Sequence, residues 1–210
     1  MIHTKDNTRR KLIDAALTLS AERGFASLSL REVAKEAGIT PAAFYRHFHN
    51  MDELGLILID EVGLGLRQLL REARRKTDPE KTSPVRSSVE AFIAYITENS
   101  NLFRVLQGER QGSSSAFRKA LFTEMGRFIE EVAEGLEQAA KLSNQPLYDP
   151  GLAAETIVAV AFTVGGEALD LPKHRRGELT ERIIKAIRMI LRGAATQEKS
   201  QSTSSRKKKT

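Results

Sequence analysis

The sequence predicts an all-α protein built from an N-terminal three-helix helix-turn-helix domain and a C-terminal helical bundle. Apolar residues recur every three or four positions along most of the chain, which is the spacing of amphipathic helices. Alternation of period two, which would indicate strands, never extends beyond a few residues. A proline-bearing linker over residues 77–84, TDPEKTSP, marks the clearest boundary in this pattern. We expect a helix-turn-helix domain over 1–50, a helical domain over 51–195 and a disordered basic tail over 196–210.

The first predicted helix begins after Thr8, a good N-cap residue, and runs to about Arg23. Gly24 ends it, and Phe25 is expected to fill the core of the small domain. We expect residues 1–7 to form a mobile polar arm. The buried stripe of this helix is predicted to contain Leu12, Ala15, Ala16 and Leu19.

Residues 29–48, SLREVAKEAGITPAAFYRHF, predict two short helices joined by a tight turn. Ser29 is the expected N-cap of the first, which stops at Gly38, where a missing Cβ permits the left-handed conformation. Thr40 then caps the second helix, and Pro41 takes its first position, where a missing N–H costs nothing. The first of these helices buries a stripe of Leu30, Val33, Ala34 and Ala37.

The second helix of this pair has two different faces. Phe44 and Phe48 are four residues apart and should pack inward, with Ile39 nearby. The other face carries Thr40, Ala42, Ala43, Tyr45, Arg46 and His47. Small side chains allow close approach to base edges, whereas Tyr, Arg and His side chains reach phosphate oxygens. This face therefore predicts a helix that enters the major groove of double-stranded DNA, although the same motif also occurs in bundles that bind no nucleic acid.

Positive charge lies at the two ends of the chain. Of the net charge of +6, residues 1–50 carry +3 and residues 196–210 carry +4, which leaves −1 for the middle. Arg9 and Arg10, in the first turn of the first helix, are predicted to contact phosphates, although a solvated helix start would look similar. We add Ser29 and Arg31 to the predicted DNA-binding residues.

Composition limits the function classes that the chain can belong to. With 40% apolar and 29% charged residues, it resembles ordinary soluble globular proteins, and the absence of cysteine excludes disulfides and thiolate metal sites. No apolar run approaches about 18 residues, and the first twenty residues show no signal-peptide core. We therefore expect a cytoplasmic protein with no membrane partner.

Sequence motifs of catalysis are missing: no G-x-S-x-G elbow, glycine-rich phosphate loop or H-E-x-x-H pair is present. His47 and His49 are two residues apart, which points them in different directions on a helix and makes a metal site there improbable. We expect neither an enzyme nor a bound metal or cofactor, while a hydrolase assembled from distant residues stays open as an alternative.

Helical segments are predicted through the rest of the chain, at about 51–75, 85–98, 101–110, 115–141, 150–170 and 178–194. The last two are the most apolar. Ala153, Ile157, Val158 and Phe162 mark the first of them, and Ile183, Ile184 and Ile187 supply a matching stripe on the second. These two helices could simply pair within one chain. We expect instead a homodimer through them, because a two-fold dimer presents two reading helices one DNA turn apart, about 34–36 Å, to a palindromic operator.

Residues 8–54 carry a specific pattern, TRRKLIDAALTLSAERGFASLSLREVAKEAGITPAAFYRHFHNMDEL. It combines the first helix, a GF link, an AGIT turn and an FYRHF ending followed by a polar residue, an acidic residue and Leu. In these features it resembles the DNA-binding domain of TetR-family transcription regulators. The resemblance implies a small-molecule pocket in the C-terminal domain. Binding of the ligand would alter the separation of the two DNA-binding domains of a dimer.

Four segments spanning both predicted domains look similar to the FabR and DesT group of this family, which represses unsaturated fatty acid synthesis: SAERGFASLSLREVAKEAGITPAAFYRHFHNMDELGL, DEVGLGLRQLLREAR, FRVLQGERQGSSSAFR and GGEALDL. This resemblance implies a DNA-binding repressor of those genes, modulated by long-chain acyl-CoA. The alternatives are a TetR-type repressor that responds to a different apolar small molecule and, less favoured, an acyl-thioester enzyme.

Apolar residues of the C-terminal domain exceed what one stripe per helix requires, so the implied pocket can be placed among them. The predicted ligand-binding residues are Phe92, Tyr95, Ile96, Phe103, Leu106, Arg110, Phe117, Leu121, Phe128 and Phe162. Arg104, Arg110 and Arg118 are candidates for binding the phosphorylated head of the ligand. The simpler alternatives are a packed core for the aromatic residues and ordinary surface charge for the arginines.

Overall fold

The structure is a computed structural model that describes the backbone of residues 2–76, 83–110 and 114–207 and the side chains of 7–76, 83–110 and 114–195. All regular elements within these ranges are helical, which confirms the predicted all-α fold. The α-helices are α1 (Ile2–Arg23), α2 (Leu30–Glu36), α3 (Pro41–Phe44), α4 (Met51–Lys76), α5 (Pro84–Glu98), α6 (Ser100–Glu109), α7 (Ser115–Ser143), α8 (Pro150–Gly165) and α9 (Arg176–Lys207). Short 3₁₀ segments cover Phe25–Ser27, Gly166–Leu169 and Lys173–Arg175.

The first and last helices extend further toward the chain ends than we predicted. α1 begins at Ile2, so the arm that we predicted over residues 1–7 is helical from its second residue. α9 continues to Lys207, whereas we predicted a helix end near residue 194 and a disordered tail from residue 196. An existing helix extends at lower cost than a new one forms, because nucleation has already occurred. Residues 208–210 lie outside the described residues.

The chain forms two compact units, each made of two chain segments. Unit 1 comprises Met1–Gly65 and Glu98–Met125, and unit 2 comprises Leu66–Thr97 and Gly126–Thr210. The domains that we predicted, with limits at residues 50 and 195, are continuous in sequence, unlike these units. Their limits stay a prediction. α4 and α7 each contribute residues to both units.

Unit 1 has a continuous apolar core under α1, α2 and α3. Its most fully buried side chains include Leu12, Ile13, Val33, Phe44, Phe48, Leu54, Leu58 and Phe103. The ring of Phe25 packs against that of Phe117, with centroids 5.3 Å apart. Gly55 allows this contact, because a Cβ there would lie 2.8 Å from Phe117 Cε2 and 2.9 Å from Phe25 Cε1.

Unit 2 is built around α8, which packs against α9. The ring of Phe162 lies 5.4 Å from that of Phe92 and 5.7 Å from that of Phe128. By length and composition alone, Pro150–Leu169 could cross a membrane. Core helices pass the same test, and Ala154, Val158 and Phe162 of this segment are buried within unit 2. We therefore interpret α8 as a core helix.

Candidate nucleic-acid interface and ligand cavity

A reciprocal capping box fixes the start of α2. Ser29 Oγ accepts a hydrogen bond from the backbone N–H of Glu32 at 3.3 Å, and the Ser29 N–H donates to Glu32 Oε2 at 2.9 Å. Arg23 Nη1 lies 3.0 Å from Glu32 Oε1. The hydrogen bonds from Ser29, followed by that from Arg23, lower the pKa of Glu32 from 4.5 to about 2. The predicted N-cap is confirmed, and the hydroxyl of Ser29 is engaged within the protein.

The turn between α2 and α3 has a defined geometry. Gly38 takes φ 70°, its N–H donates to Lys35 O at 3.1 Å, and the next N–H, of Ile39, donates to Ala34 O at 2.9 Å. This pair of bonds is a Schellman motif, which requires a residue that tolerates positive φ. Thr40 Oγ1 then accepts from the N–H of Ala43 at 3.2 Å. Gly38 and Thr40 thus end and start the helices as the sequence predicted.

α3 is shorter than we expected, because regular α-helix covers only Pro41–Phe44. The backbone continues in turns, with the Phe48 N–H donating to Phe44 O at 3.0 Å. Both Phe44 and Phe48 are fully buried, and their ring centroids lie 5.5 Å apart. Tyr45 between them is 61% exposed. The prediction that these two phenylalanines point inward and leave the opposite face open is confirmed.

The residues predicted to contact DNA differ in their exposure. Thr40, Ala42, Tyr45 and Arg46 are exposed, whereas Ala43 and His47 are half-buried. Arg31 is exposed on α2. Side chains of these types, next to an anchored short helix, can approach base edges and phosphates. Their individual contacts with DNA stay a prediction.

Arg9 and Arg10 on α1 lie close to Glu61 on α4. Arg9 Nη1 is 3.6 Å from Glu61 Oε1, and the guanidinium of Arg9 lies 5.5 Å from the ring centroid of Phe48. Arg10 Nε is 3.0 Å from Asp14, and its Nη1 is 3.5 Å from Glu61. These pairs are solvent-exposed and therefore weak, so phosphate contacts can compete with them.

His49 pairs with a carboxylate at the start of α4. Its Nδ1 lies 3.2 Å from Glu53 Oε2, and Asn50 Oδ1 accepts from the Glu53 N–H at 2.8 Å. Asn50 is thus the N-cap of α4. Among the residues that the structure describes, no group of three His, Asp or Glu side chains is placed to bind a metal ion.

An apolar cavity of about 280 Å³ lies within unit 2. Residues from α4, α5, α7, α8 and α9 contribute to its lining, among them Leu70, Val89, Val132, Leu136, Ile157, Ala161 and Ile187. Its polar lining residues are Arg74 and Ser88, within the part of the chain that is described. Its volume is slightly below the usual range for small-molecule pockets, about 300–1,000 Å³. Such a cavity suits an aliphatic chain or a small apolar ring.

The predicted ligand-binding residues divide between the two units. Phe92 and Phe128 line the cavity, and Phe162 packs against both of their rings. Ile96 is buried and Tyr95 half-buried in unit 2. The remaining predicted residues lie in unit 1, where Phe103, Leu106, Phe117 and Leu121 are buried and Arg110 is exposed. Arg104 and Arg118, the other candidates for the ligand head, are also exposed residues of unit 1.

Comparisons with known proteins agree with this architecture. The family model described as "Bacterial regulatory proteins, tetR family" matches residues 12–56, and "Tetracyclin repressor-like, C-terminal domain" matches residues 82–190. An HTH-type transcriptional regulator of Haemophilus influenzae is 48% identical over 191 residues, which cover 90% of this chain and 91% of that protein. The chain belongs to the TetR family. TetR regulators bind DNA operators and small-molecule effectors and function as dimers, and they are not enzymes.

Solved structures share the fold of this TetR regulator. The fatty acid degradation regulator FadR from Bacillus halodurans superimposes with a TM-score of 0.72 at 21% identity, over 88% of this chain and 94% of that chain. SmeT, solved as a complex with triclosan, gives a TM-score of 0.67 at 22% identity, over 89% and 90% of the two chains.

Sequence reasoning missed three charged residues of this TetR chain. Glu109 is buried in unit 1, and Arg74 binds the buried Glu131 in unit 2. Glu109 could have been noticed, because it continues the apolar stripe of α6 seven residues after Leu102. No sequence pattern signals that Arg74 and Glu131 meet, because they are 57 residues apart.

Proposed function

We propose that this TetR regulator is a repressor of unsaturated fatty acid synthesis genes that long-chain acyl-CoA modulates. The observation that carries the proposal is the apolar cavity of about 280 Å³ in unit 2. An acyl chain gains free energy by burying its methylene groups there, about 0.8 kcal/mol for each. The resemblance of four segments to the FabR and DesT group, together with a structural neighbour named as a fatty acid degradation regulator, supports this class of ligand.

The reading surface of unit 1 supports the DNA side of the proposal. Thr40, Ala42 and Ala43 approach base edges, while Tyr45, Arg46 and His47 contact phosphates. Arg9 and Arg10, with Ser29 and Arg31, extend the surface along the DNA backbone. Ser29 contributes through the helix start that it caps, because its hydroxyl is bound to Glu32.

A homodimer through α8 and α9 brings two reading surfaces to a palindromic operator. Leu152 on α8 and Met189 on α9 are large apolar side chains that the single chain leaves exposed. Their exposure supports this choice of interface, because a two-fold dimer would bury them against the same residues of the partner. The ligand shifts DNA binding only if the two dimer arrangements bind it with different affinity. As a cytoplasmic protein, the regulator meets both DNA and acyl-CoA in one compartment.

A gel shift at controlled salt concentration tests the proposal, with DNA from upstream of the neighbouring genes and with saturated or unsaturated acyl-CoA. We expect one of the two acyl-CoA classes to change operator affinity. Ala161→Phe fills the cavity and should abolish the response while leaving DNA binding in the absence of ligand intact. Ala94→Phe adds the same ring at an exposed position of unit 2 and should keep the response.

Other outcomes would identify a competing function. A response to triclosan but not to acyl-CoA would favour a regulator of another pathway, since the rings of Phe92 and Phe128 can also line an aromatic site. Release of free CoA by the purified protein, with equal affinity for operator and random DNA, would contradict a regulatory role altogether.

A further inference from the structure

Two arginines of α4 bind one buried glutamate of α7 at the edge of the cavity. Arg71 Nε lies 2.7 Å from Glu131 Oε2, and its Nη2 donates to the same oxygen. Arg74 Nη2 donates to Oε1, and its Nη1 lies 3.4 Å from the backbone oxygen of Glu131. The Glu131 side chain is only 6% exposed. One carboxylate therefore holds two guanidinium groups.

The charges of this group do not cancel. Burial raises the pKa of Glu131, but the hydrogen bonds from Arg71 and Arg74 outweigh burial and hold the pKa below 4.5, so Glu131 is ionised at neutral pH. The hydrogen bonds to Glu131, followed by the negative charge of Glu131 and then of the exposed Glu134, raise the pKa of Arg71. Within this cluster, two guanidinium groups therefore share a single buried carboxylate.

Arg74 reaches the cavity because Gly135 leaves room for it. A Cβ at position 135 would lie 2.6 Å from Arg74 Nη1 and 3.1 Å from Cζ. Both residues line the cavity, and Arg74 is its charged residue within the described chain. A guanidinium at the wall of an apolar cavity attracts anions strongly, because the surroundings screen its charge less than water does.

We infer that Arg74 binds the anionic group of an amphiphilic effector whose apolar chain occupies the cavity. The inference rests on the proposed function and adds the charge of the ligand to it. Glu131 keeps its bonds from Arg71 when Arg74 turns toward a ligand, so the buried carboxylate stays compensated. The planar guanidinium matches a carboxylate or a phosphate in a bidentate geometry, which an alcohol or an ester cannot use.

The anionic group can come from two sources. A free fatty acid carries its carboxylate at the end of the chain, whereas an acyl thioester carries phosphates on its head. The two share the chemistry that Arg74 recognises, and competition experiments distinguish them.

Binding of cis-parinaric acid to the full-length protein, followed by its fluorescence, tests the inference against the neutral methyl ester of the same chain. We expect the wild type to prefer the acid. Arg74→Met should lower the affinity for the acid about tenfold, since hydrogen bonds to charged groups contribute this much, and leave the affinity for the ester unchanged. Arg74→Lys should restore part of the preference, because it keeps the charge.

Gly135→Ala displaces the guanidinium without removing it and should weaken acid binding in the same direction. Gly126→Ala is the matched control on α7, because a Cβ there meets nothing within 4 Å, and it should leave both affinities unchanged. These two variants retain both arginines and Glu131, so they keep the test informative if Arg74→Met does not fold.

Equal loss of acid and ester affinity in Arg74→Met would overturn the inference, as would a wild type that shows no preference or binds neither probe. Palmitate and palmitoyl-CoA are each tested for displacement of bound cis-parinaric acid. The competitor that displaces less well from Arg74→Met than from the wild type identifies the source of the anionic group. If Arg74→Met weakens displacement by neither competitor, the inference is also overturned. If acyl-CoA leaves operator affinity unchanged while the acid preference depends on Arg74, the proposed function fails and the inference stands.

Discussion

The carboxylate of Glu109, on α6, accepts a hydrogen bond from the backbone N–H of Ala26, 83 residues earlier in the chain, at 3.2 Å. Ala26 lies in the 3₁₀ segment that follows α1, where Gly24 takes φ 78°. Glu109 is buried, so its oxygen replaces the water that this N–H would otherwise bind. The bond attaches α6 to the segment between α1 and α2 within unit 1, and α2 begins the helix pair that we propose to contact DNA.

Glu109→Ala should destabilise the protein by about 1–3 kcal/mol, because the Ala26 N–H loses a buried acceptor. Glu109→Gln keeps an acceptor oxygen and should cost less. Urea unfolding measures both changes, and Asn101→Ala, at an exposed position of α6, is the control. Equal stability of Glu109→Ala and Asn101→Ala would show that the bond contributes nothing.

Gly55→Ala should cost about 1–3 kcal/mol, which is typical of overpacking in a core. The added methyl group would meet the rings of Phe117 and Phe25 at less than 3.0 Å. Gly108→Ala is the matched change in unit 1, where a Cβ meets nothing within 4 Å, and it should stabilise α6 by about 0.5–1 kcal/mol. Thermal unfolding of both variants checks the sign of each effect, and a stabilised Gly55→Ala would refute the packing argument.

Local features of this fold could be predicted from sequence, because caps and turns depend on neighbouring residues. Ser29, Gly38 and Thr40 are examples, since each acts on a backbone group within five positions. The burial of Phe44 and Phe48 followed from their spacing on one face. The length of α3 did not, because the chain leaves the regular helix at Phe44 without any Gly or Pro to indicate it.

The ligand cavity could not be predicted in detail, because residues distant in sequence form it. Apolar character and helical spacing predict that Phe103, Phe117 and Phe128 are buried, but not which cavity or core they pack around. Phe128 lines the cavity of unit 2, whereas the other two belong to the core of unit 1. Hydrophobic spacing alone carries no information about which helices enclose a gap.

Substitutions on the exposed face of α3 and the turn that follows it should have separate effects on affinity for DNA and on sequence preference. Arg46→Ala and Tyr45→Ala should weaken binding to all duplexes, and loss of the proposed phosphate contact of Arg46 should reduce the salt slope by about one. Ala42→Gln should instead change which operator is preferred, because we propose that position 42 faces base edges. Fluorescence anisotropy at several salt concentrations, on an operator and on a scrambled duplex, measures both quantities.

The charge-matched control for Arg46 is Lys141→Ala, an exposed cation at the end of α7 in unit 2. It should leave the salt slope unchanged. If Lys141→Ala weakened DNA binding as much as Arg46→Ala, the effect would come from net charge and the proposed surface would be wrong.

Acid should destabilise the start of α2 through Glu32. Its pKa is about 2 in the folded protein and 4.5 as the ordinary value, so the folded state favours the ionised form. The stabilisation is therefore complete above about pH 4.5 and is lost as the pH falls from there toward 2. Glu32→Gln removes this titration and should flatten the acid limb of a plot of stability against pH, measured by urea unfolding between pH 2 and 7. Glu36→Gln, which removes another carboxylate at an exposed position of α2, is the control and should leave that limb as steep as in the wild type. An acid limb equally steep in the wild type and in Glu32→Gln would show that the capping box does not hold Glu32 ionised.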